Sequence, residues 1–254
     1  MKPYYSTNTV TLYNADCRDV LLDLPSHSVD ALVTDPPYGM AWESKSEGSR
    51  PIRADGVRQG MRVLREALTS AGRALSPDAH AYVFCHWQSW PDFYDACSAH
   101  LRVKSARIWW KAHGGTGDLR QSYAPDYEVV LFAAQSSRRP LAGKREGAVI
   151  AGFPPVSPRQ RTHPTEKPVA LLAHLLEKSC PAGGLVLDPF AGSGSTLLAA
   201  QQLGLRAVGM ELDERYCEAA ARRLEAARIG SAPAPEGPST AGRPAVKARR
   251  AAGR

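Results

Sequence analysis

The sequence predicts an α/β fold, a seven-stranded mixed and mostly parallel sheet with helices on both faces, on three observations. Apolar strand-length runs alternate with amphipathic helical stretches throughout the chain. In "LVLDPFAGSGSTLLAAQQLG" (185–204) a buried strand, a tight Gly/Ser turn and a helix follow one another directly. The length, 254 residues with 43% hydrophobic content, is enough for one such domain with a sizeable core.

Strands are expected at "TVTLYNA" (9–15) and "DALVTD" (30–35), the second stopped by Pro36 and Pro37, which lack backbone donors and fix φ. "AYVFC" (81–85), "VKSARIWW" (103–110), "YEVVLFA" (127–133), "GLVLD" (184–188) and "RAVGME" (206–211) complete the seven. Helices are expected over 57–75, 89–99, 167–179, 195–203 and 213–228, the last with Asp213 as N-cap and Gly230 as terminator. Trp109 and Trp110 belong to a strand, and at least one is expected in the core.

Three stretches break the alternation. Residues 39–60 mix four basic and three acidic residues with little apolar content. Residues 135–162 carry six Lys/Arg against one acid and are broken by Pro140, Pro154, Pro155 and Pro158. Residues 231–254 carry five Lys/Arg against one acid, are low in bulky apolar residues and read as a disordered basic tail. Of the net charge of +7, these last two segments hold +5 and +4, which leaves −2 for the rest. Positive charge concentrated in this way points to a polyanionic partner.

No apolar run approaches the length of a membrane span, and "MKPYYSTNTV" lacks an apolar signal core. The five cysteines form no C-x-x-C pair and the histidines no ligand spacing, so neither a disulfide framework nor a metal site is expected.

The chemistry concentrates at three expected strand ends. The glycines at 192 and 194 let backbone N–H groups approach a ligand at a helix N-terminus, and no Lys follows them as a nucleoside triphosphate site would require. Nineteen residues beyond Gly192, Glu211 ends the next strand, where a carboxylate accepts hydrogen bonds from both ribose hydroxyls. Asp188, just before the loop, is placed to meet a ligand ammonium group. An ammonium beside a ribose indicates S-adenosylmethionine rather than a dinucleotide.

Asp35, Pro36, Pro37 and Tyr38 end another strand and face the same crevice. An exocyclic amino nitrogen on a base is a poor nucleophile because its lone pair is delocalised into the ring. A carboxylate accepting one N–H and a backbone carbonyl accepting the other draw the nitrogen toward tetrahedral geometry, and proline supplies carbonyls without competing donors. Tyr38 is an aromatic ring on which a flipped base stacks.

"DPPY" (35–38) together with "DPFAGSGST" (188–196) resembles the β-class DNA amino-methyltransferases, which make N6-methyladenine or N4-methylcytosine. "HPTEKP" (163–168), just before the glycine loop, and "WWKAHGGTGDLRQSYAPDYEVVLF" (109–132) match family segments in the same order, and the likeness runs from about residue 9 to 228. The resemblance implies a Rossmann-like, circularly permuted S-adenosylmethionine-dependent methyltransferase fold. It makes Asp35, Pro36, Pro37 and Tyr38 catalytic, and it surrounds the methionine part of the cofactor with Asp188, Phe190, Ala191, Gly192, Ser193, Gly194 and Thr196. Glu211 then meets the ribose, Asp16 and Cys17 the adenine, and Thr165 and Lys167 the carboxylate end. One departure is Tyr127, where the family usually has His before the glutamate corresponding to Glu128.

The expected organisation is two halves of one catalytic domain, 1–134 and 163–229, around a small target-recognition segment, 135–162, with a tail at 230–254. Arg138, Arg139, Lys144, Arg145, Arg159 and Arg161 are its candidate contacts to double-stranded DNA, with loop 39–60 closing over the flipped base. The expected activity is site-specific methylation of adenine N6, since an acid opening the tetrad is more typical of adenine enzymes. Cytosine N4 is the first alternative; RNA or protein glutamine as acceptor, or a silent DNA-binding protein, are the others. By the same resemblance the setting is a bacterial or bacteriophage cytoplasm, and a homodimer and a cognate restriction enzyme are left open.

Overall fold

A computed structural model describes residues 1–38, 57–112, 121, 123, 124, 126–136 and 138–229. Loop 39–56, most of 113–125 and the tail 230–254, with the expected terminator Gly230, lie outside them. Among the described residues nine strands form one sheet: β1 (Tyr5–Ser6), β2 (Val10–Asn14), β3 (Val29–Thr34), β4 (Leu75–Cys85), β5 (Arg102–Trp110), β6 (Tyr127–Ala134), β7 (Val149–Ile150), β8 (Leu185–Asp188) and β9 (Arg206–Glu211). Their spatial order is β1-β2-β9-β8-β3-β4-β6-β5-β7.

The seven expected strands are all present. The count is corrected to nine by β1 and β7, two residues each, which are too short to show a period and exist only by pairing with β2 and β5. The five central strands, β2-β9-β8-β3-β4, are mutually parallel, and β6 is antiparallel to both β4 and β5.

Among the described residues six helices cover the sheet: α1 (Cys17–Asp23), α2 (Val57–Ala74), α3 (Trp90–Ser98), α4 (Val169–Ser179), α5 (Ser195–Gln202) and α6 (Glu214–Arg228). On one face Leu171 and Leu175 of α4, Leu197 of α5 and Ala220 and Leu224 of α6 pack on Ala31, Val33, Tyr82 and Phe84. On the other, Leu21 of α1, Leu64 of α2 and Phe93 of α3 pack on Leu32, Ala81, Val83 and Cys85. Successive residues of β3 and β4 thus enter opposite cores, which is why these strands read as nearly continuous apolar runs.

Helix α1 has no counterpart among the expected helices. It spans two turns, held by the buried Val20 and Leu21 and capped by Asp16, whose side chain accepts from Arg18 N at 3.0 Å. Asp213 caps α6 in the same way, as expected, accepting from Arg215 N at 3.0 Å. β4 begins six residues earlier than expected, and its register with β3 shifts between Val29 and Ala31, an irregularity that accommodates Pro77. No helix among the described residues is long and apolar enough to cross a membrane.

Residues 135–162 lie against the body of the domain. Ala142 N donates to Lys178 O at 2.9 Å, Glu146 meets Arg107, His174 and Lys178, and β7 extends the edge of β5. Trp109 is fully buried and its Nε1 donates to Phe153 O at 2.9 Å, so this indole is core, as expected of at least one of the pair.

Candidate active site

β8 and β3 are parallel neighbours whose chains leave in opposite directions, β8 through α5 to β9 and β3 through α2 to β4. This topological switch point opens a crevice at the strands' carboxyl ends, and the expected catalytic and cofactor residues meet there. Thr34 of β3 donates through Oγ1 to Asp188 Oδ1 of β8 at 2.9 Å, joining the two halves of the site.

Asp188 is 3% exposed and also accepts from Phe190 N at 3.1 Å. Burial pushes its carboxyl up to about 6, against hydrogen bonds from Thr196 and Thr34. No Lys, Arg or His among the described residues forms an ion pair with it. A buried carboxylate with neutral donors only is prepared for a cation from outside the chain.

After Asp188 the chain turns over Gly192, at φ +52°, and Gly194, at φ +77°. A Cβ on Gly194 would lie 2.8 Å from Ala220 Cβ, so the loop sits directly on α6. Gly194→Ala is expected to lower the melting temperature by about 5 °C or more, since a left-handed alanine costs roughly 1–3 kcal/mol before any clash is relieved. Differential scanning calorimetry checks it.

Glu211 Oε2 accepts from Gly192 N at 2.9 Å and Oε1 from Asp213 N at 2.8 Å, and burial raises its carboxyl. Asn14 pairs in register with Glu211, which brings Asp16 and Cys17 next to it. Asp16 is forked onto Arg18 (2.9 and 2.7 Å), which holds its carboxyl low, while burial pushes the Cys17 thiol up to about 12.

"HPTEKP" lies across the glycine loop. The ring of His163 packs on Tyr216 at 4.2 Å and against Gly192; burial pushes it down to about 4, so it is neutral. Thr165 Oγ1 lies 3.2 Å from His163 Nδ1. Glu166 accepts from Ser193 Oγ at 3.1 Å and pairs with Arg223 at 3.1 Å, and Arg223 also donates to Ser193 O at 2.7 Å. Of this clamp only Ser193 was among the expected site residues; Glu166 and Arg223 were not, because the three come from separate segments.

Lys167 is placed differently from its expected neighbour Thr165. Its ammonium, 5% exposed, pairs with Asp35 Oδ2 and with Glu128 Oε2, the latter at 3.1 Å. Tyr38 donates its hydroxyl to Asp35 Oδ1 and lies 3.3 Å from Glu128 Oε2, and its ring meets the edge of Phe93 at 6.1 Å. Lys111 reaches the other Glu128 oxygen at 2.6 Å. Lys111 and Glu128 therefore join the site. The sign available in sequence was a glutamate at the second position of the strand run 127–133 and a lysine just after the Trp pair.

Burial raises Asp35, only partly offset by Lys167, and Glu128 adds to the rise. Burial alone would raise Glu128 too, but the two lysines outweigh it and hold this carboxyl low. Burial opposes the charge on Lys167, and the two carboxylates overcome it.

The six basic residues expected to contact DNA stand in three places. Because β6 is antiparallel to β4, Arg138 and Arg139 emerge at the opposite end of the strands from Asp35, and Arg139 is engaged with Asp30 O at 2.6 Å. Lys144 and Arg145 lie beside the last turn of α4, where Lys178 donates to Lys144 O at 2.9 Å. Arg159 and Arg161 stand on the crevice side, next to the segment that covers the glycine loop.

The family model described as DNA methylase matches residues 29–222, which span every element of this crevice except the segment containing Asp16 and Cys17. The chain belongs to the DNA methylase family. This methylase is similar to the Escherichia coli K12 protein named "Putative methylase YubD", with 31% identity over 226 residues, 83% of this chain and 88% of the other. It is also similar to YhdJ, a DNA adenine methyltransferase of the same strain, with 25% identity over 90% of this chain and 87% of the other. In fold it matches the solved structure of the PvuII cytosine-N4-specific DNA methyltransferase, with a TM-score of 0.69 and 16% identity over 88% of this chain and 89% of that one.

As a member of its family the methylase is an S-adenosylmethionine-dependent DNA methyltransferase of the N6/N4 class. The residues present fit that cofactor. Asp188 is a buried anion without a cation of its own, and Gly192 and Gly194 leave a backbone cradle beside it.

Proposed function

We propose that this methylase transfers the methyl group to the N6 amino nitrogen of adenine at specific sites in double-stranded DNA, after the base is flipped from the duplex. The observation that carries the reading is a half-buried carboxylate, Asp35, followed by two prolines and joined through Thr34 to the buried cofactor-side carboxylate Asp188. The acid that opens the tetrad, together with the likeness to YhdJ, favours adenine.

S-adenosylmethionine supplies an electrophilic methyl group on its sulfonium. Asp188 would hold its ammonium, the N–H groups around Gly192 and Gly194 its methionine part, Glu211 its ribose hydroxyls, and Asp16 and Cys17 its adenine. Asp35 accepts one N–H of the target amino group and the Pro36 carbonyl the other, which localises the nitrogen lone pair for attack. As the new N–C bond forms, Asp35 takes the proton that the nitrogen gives up. Tyr38, its hydroxyl fixed by Asp35, forms a wall of the pocket against which the base stacks.

Arg159 and Arg161 are the basic residues we assign to DNA. Arg159→Ala/Arg161→Ala is expected to raise KM for DNA by about tenfold and to lower its salt dependence by about two phosphate contacts, with cofactor affinity unchanged. Fluorescence anisotropy over a salt series checks it.

Cytosine N4 is the second reading, favoured by the fold likeness to the PvuII enzyme. Transfer of labelled methyl groups to unmethylated genomic DNA, followed by nucleoside analysis, separates the two. N6-methyladenine supports the proposal, N4-methylcytosine replaces it, and label on neither base overturns both.

A further inference from the structure

Asp35, Glu128, Lys111 and Lys167 are two anions and two cations enclosed together, with Tyr38 donating to one of the carboxylates. The links run in a chain: Lys111 to one oxygen of Glu128 at 2.6 Å, Lys167 to the other at 3.1 Å, and Lys167 onward to Asp35. Lys167 is the sole cation among the described residues that touches Asp35, and at 5% exposure it has little access to anything else. It stands over the faces of Phe84 and Tyr38, 5.1 and 5.7 Å from the ring centroids, so its position is set by packing as well as by charge.

We propose that Lys167 is a positioning residue for the methyl transfer: it holds the Asp35 carboxylate ionised and oriented toward the target amino group, and Glu128 with Lys111 governs how firmly it does so. This rests on the reading of Asp35 as the acceptor of the amino N–H. It departs from the expectation that Lys167 flanks the cofactor's carboxylate end.

The need for such a residue follows from the pocket. A carboxylate without its counter-ion in a buried site takes up a proton and becomes a donor, the reverse of what an amino group requires. The other groups facing Asp35 supply no cation. Tyr38 is raised well above the ordinary range, so it is neutral. Burial pushes the Cys85 thiol up to about 12 and lowers His86, leaving both uncharged, and Asp188 is a second acid. Glu128 competes with Asp35 for the same ammonium, and Lys111 relieves that competition by occupying the other Glu128 oxygen.

The sign of the pH dependence is fixed. Only ionised Asp35 accepts, so turnover falls as pH drops through its pKa, and loss of Lys167 moves this acid limb upward.

The test measures kcat at saturating cofactor and DNA across about pH 5.5 to 9 for the full chain. Lys167→Met is expected to shift the acid limb up by about one pH unit or more and to lower kcat near pH 7 by about tenfold, with partial recovery at high pH. Cofactor affinity should stay within about threefold of the parent, and Lys167→Arg should keep the limb near its original place. An unmoved limb overturns the proposal; so does a cofactor affinity weakened tenfold, which would return Lys167 to the cofactor.

Should Lys167→Met fail to fold, Lys111→Met reads the same coupling at a side chain that is 21% exposed and does not touch Asp35. A smaller upward shift is expected there, and none would overturn the proposal. Asp35→Asn separates the underlying reading: if it retains parental turnover, Asp35 is not the acceptor. If it is inactive and the limb of Lys167→Met does not move, the inference about Lys167 alone fails.

Discussion

Asp35→Ala is expected to lower kcat for methyl transfer by about 10³-fold or more and to leave S-adenosylmethionine affinity within about threefold. The loss is this large because Asp35 does two things that nothing else in the pocket can take over. It draws the nitrogen lone pair out of the ring, and it receives the departing proton. Glu128, which shares Lys167 with Asp35, already has both oxygens engaged by lysines. Cofactor binding survives because the Asp188 contacts to Thr34 and Phe190 do not pass through Asp35. Removing one of two anions leaves Lys167 with less compensation, so Asp35→Asn, which keeps the volume, is the necessary companion. Single-turnover transfer with labelled cofactor, alongside calorimetric titration of the cofactor, measures both parts. A weakened affinity in both variants would move Asp35 into the cofactor site.

Asp188→Asn is expected to separate binding from stability. The amide removes the charge that meets the cofactor's ammonium, so affinity should fall by about 10- to 100-fold, the range for a hydrogen bond to a charged group. The same change should leave the melting temperature of the free protein unchanged or higher at neutral pH. The folded-state carboxyl at about 6 lies above its ordinary value of 3.8. The folded chain therefore binds a proton that the unfolded chain releases between about pH 4 and 6, and the ionised group costs stability above that window. In the parent protein, stability should rise as pH falls from about 6 to 4, and Asp188→Asn should abolish that rise. Cofactor affinity in the parent should run the opposite way, weakening by nearly tenfold per pH unit below about 6, because the protonated acid cannot pair with an ammonium. Titration calorimetry and thermal melts over the same pH series check both, and an affinity insensitive to Asp188→Asn would remove this residue from the cofactor site.

The element plan was legible because buried parallel strands and amphipathic helices leave local patterns. All seven expected strands and five expected helices are present, and Asp213 caps α6 as its position indicated. What local pattern missed was short or made by pairing: β1 and β7 at two residues each, and the two-turn helix α1 behind its Asp16 cap. Where the basic residues of 135–162 stand was hidden for a related reason. Charge is visible in sequence, but the end of the sheet at which it emerges is decided by the direction of β6.

By itself, the sequence determined the strand ends that carry chemistry, and with them the identity of the methylase: the acid and prolines after β3, the glycine loop after β8 and the acid closing β9. Each is a contiguous motif whose chemistry depends on local backbone, so a few adjacent residues suffice to declare it. Only the tertiary structure decided which charges are shared. Lys111, Glu128 and Lys167 reach Asp35 or one another from three different segments, and Glu166, beside Lys167, closes on Ser193 together with Arg223 of α6. Such ion pairs form because burial strips water from groups that folding brings together, and no spacing along the chain encodes that meeting.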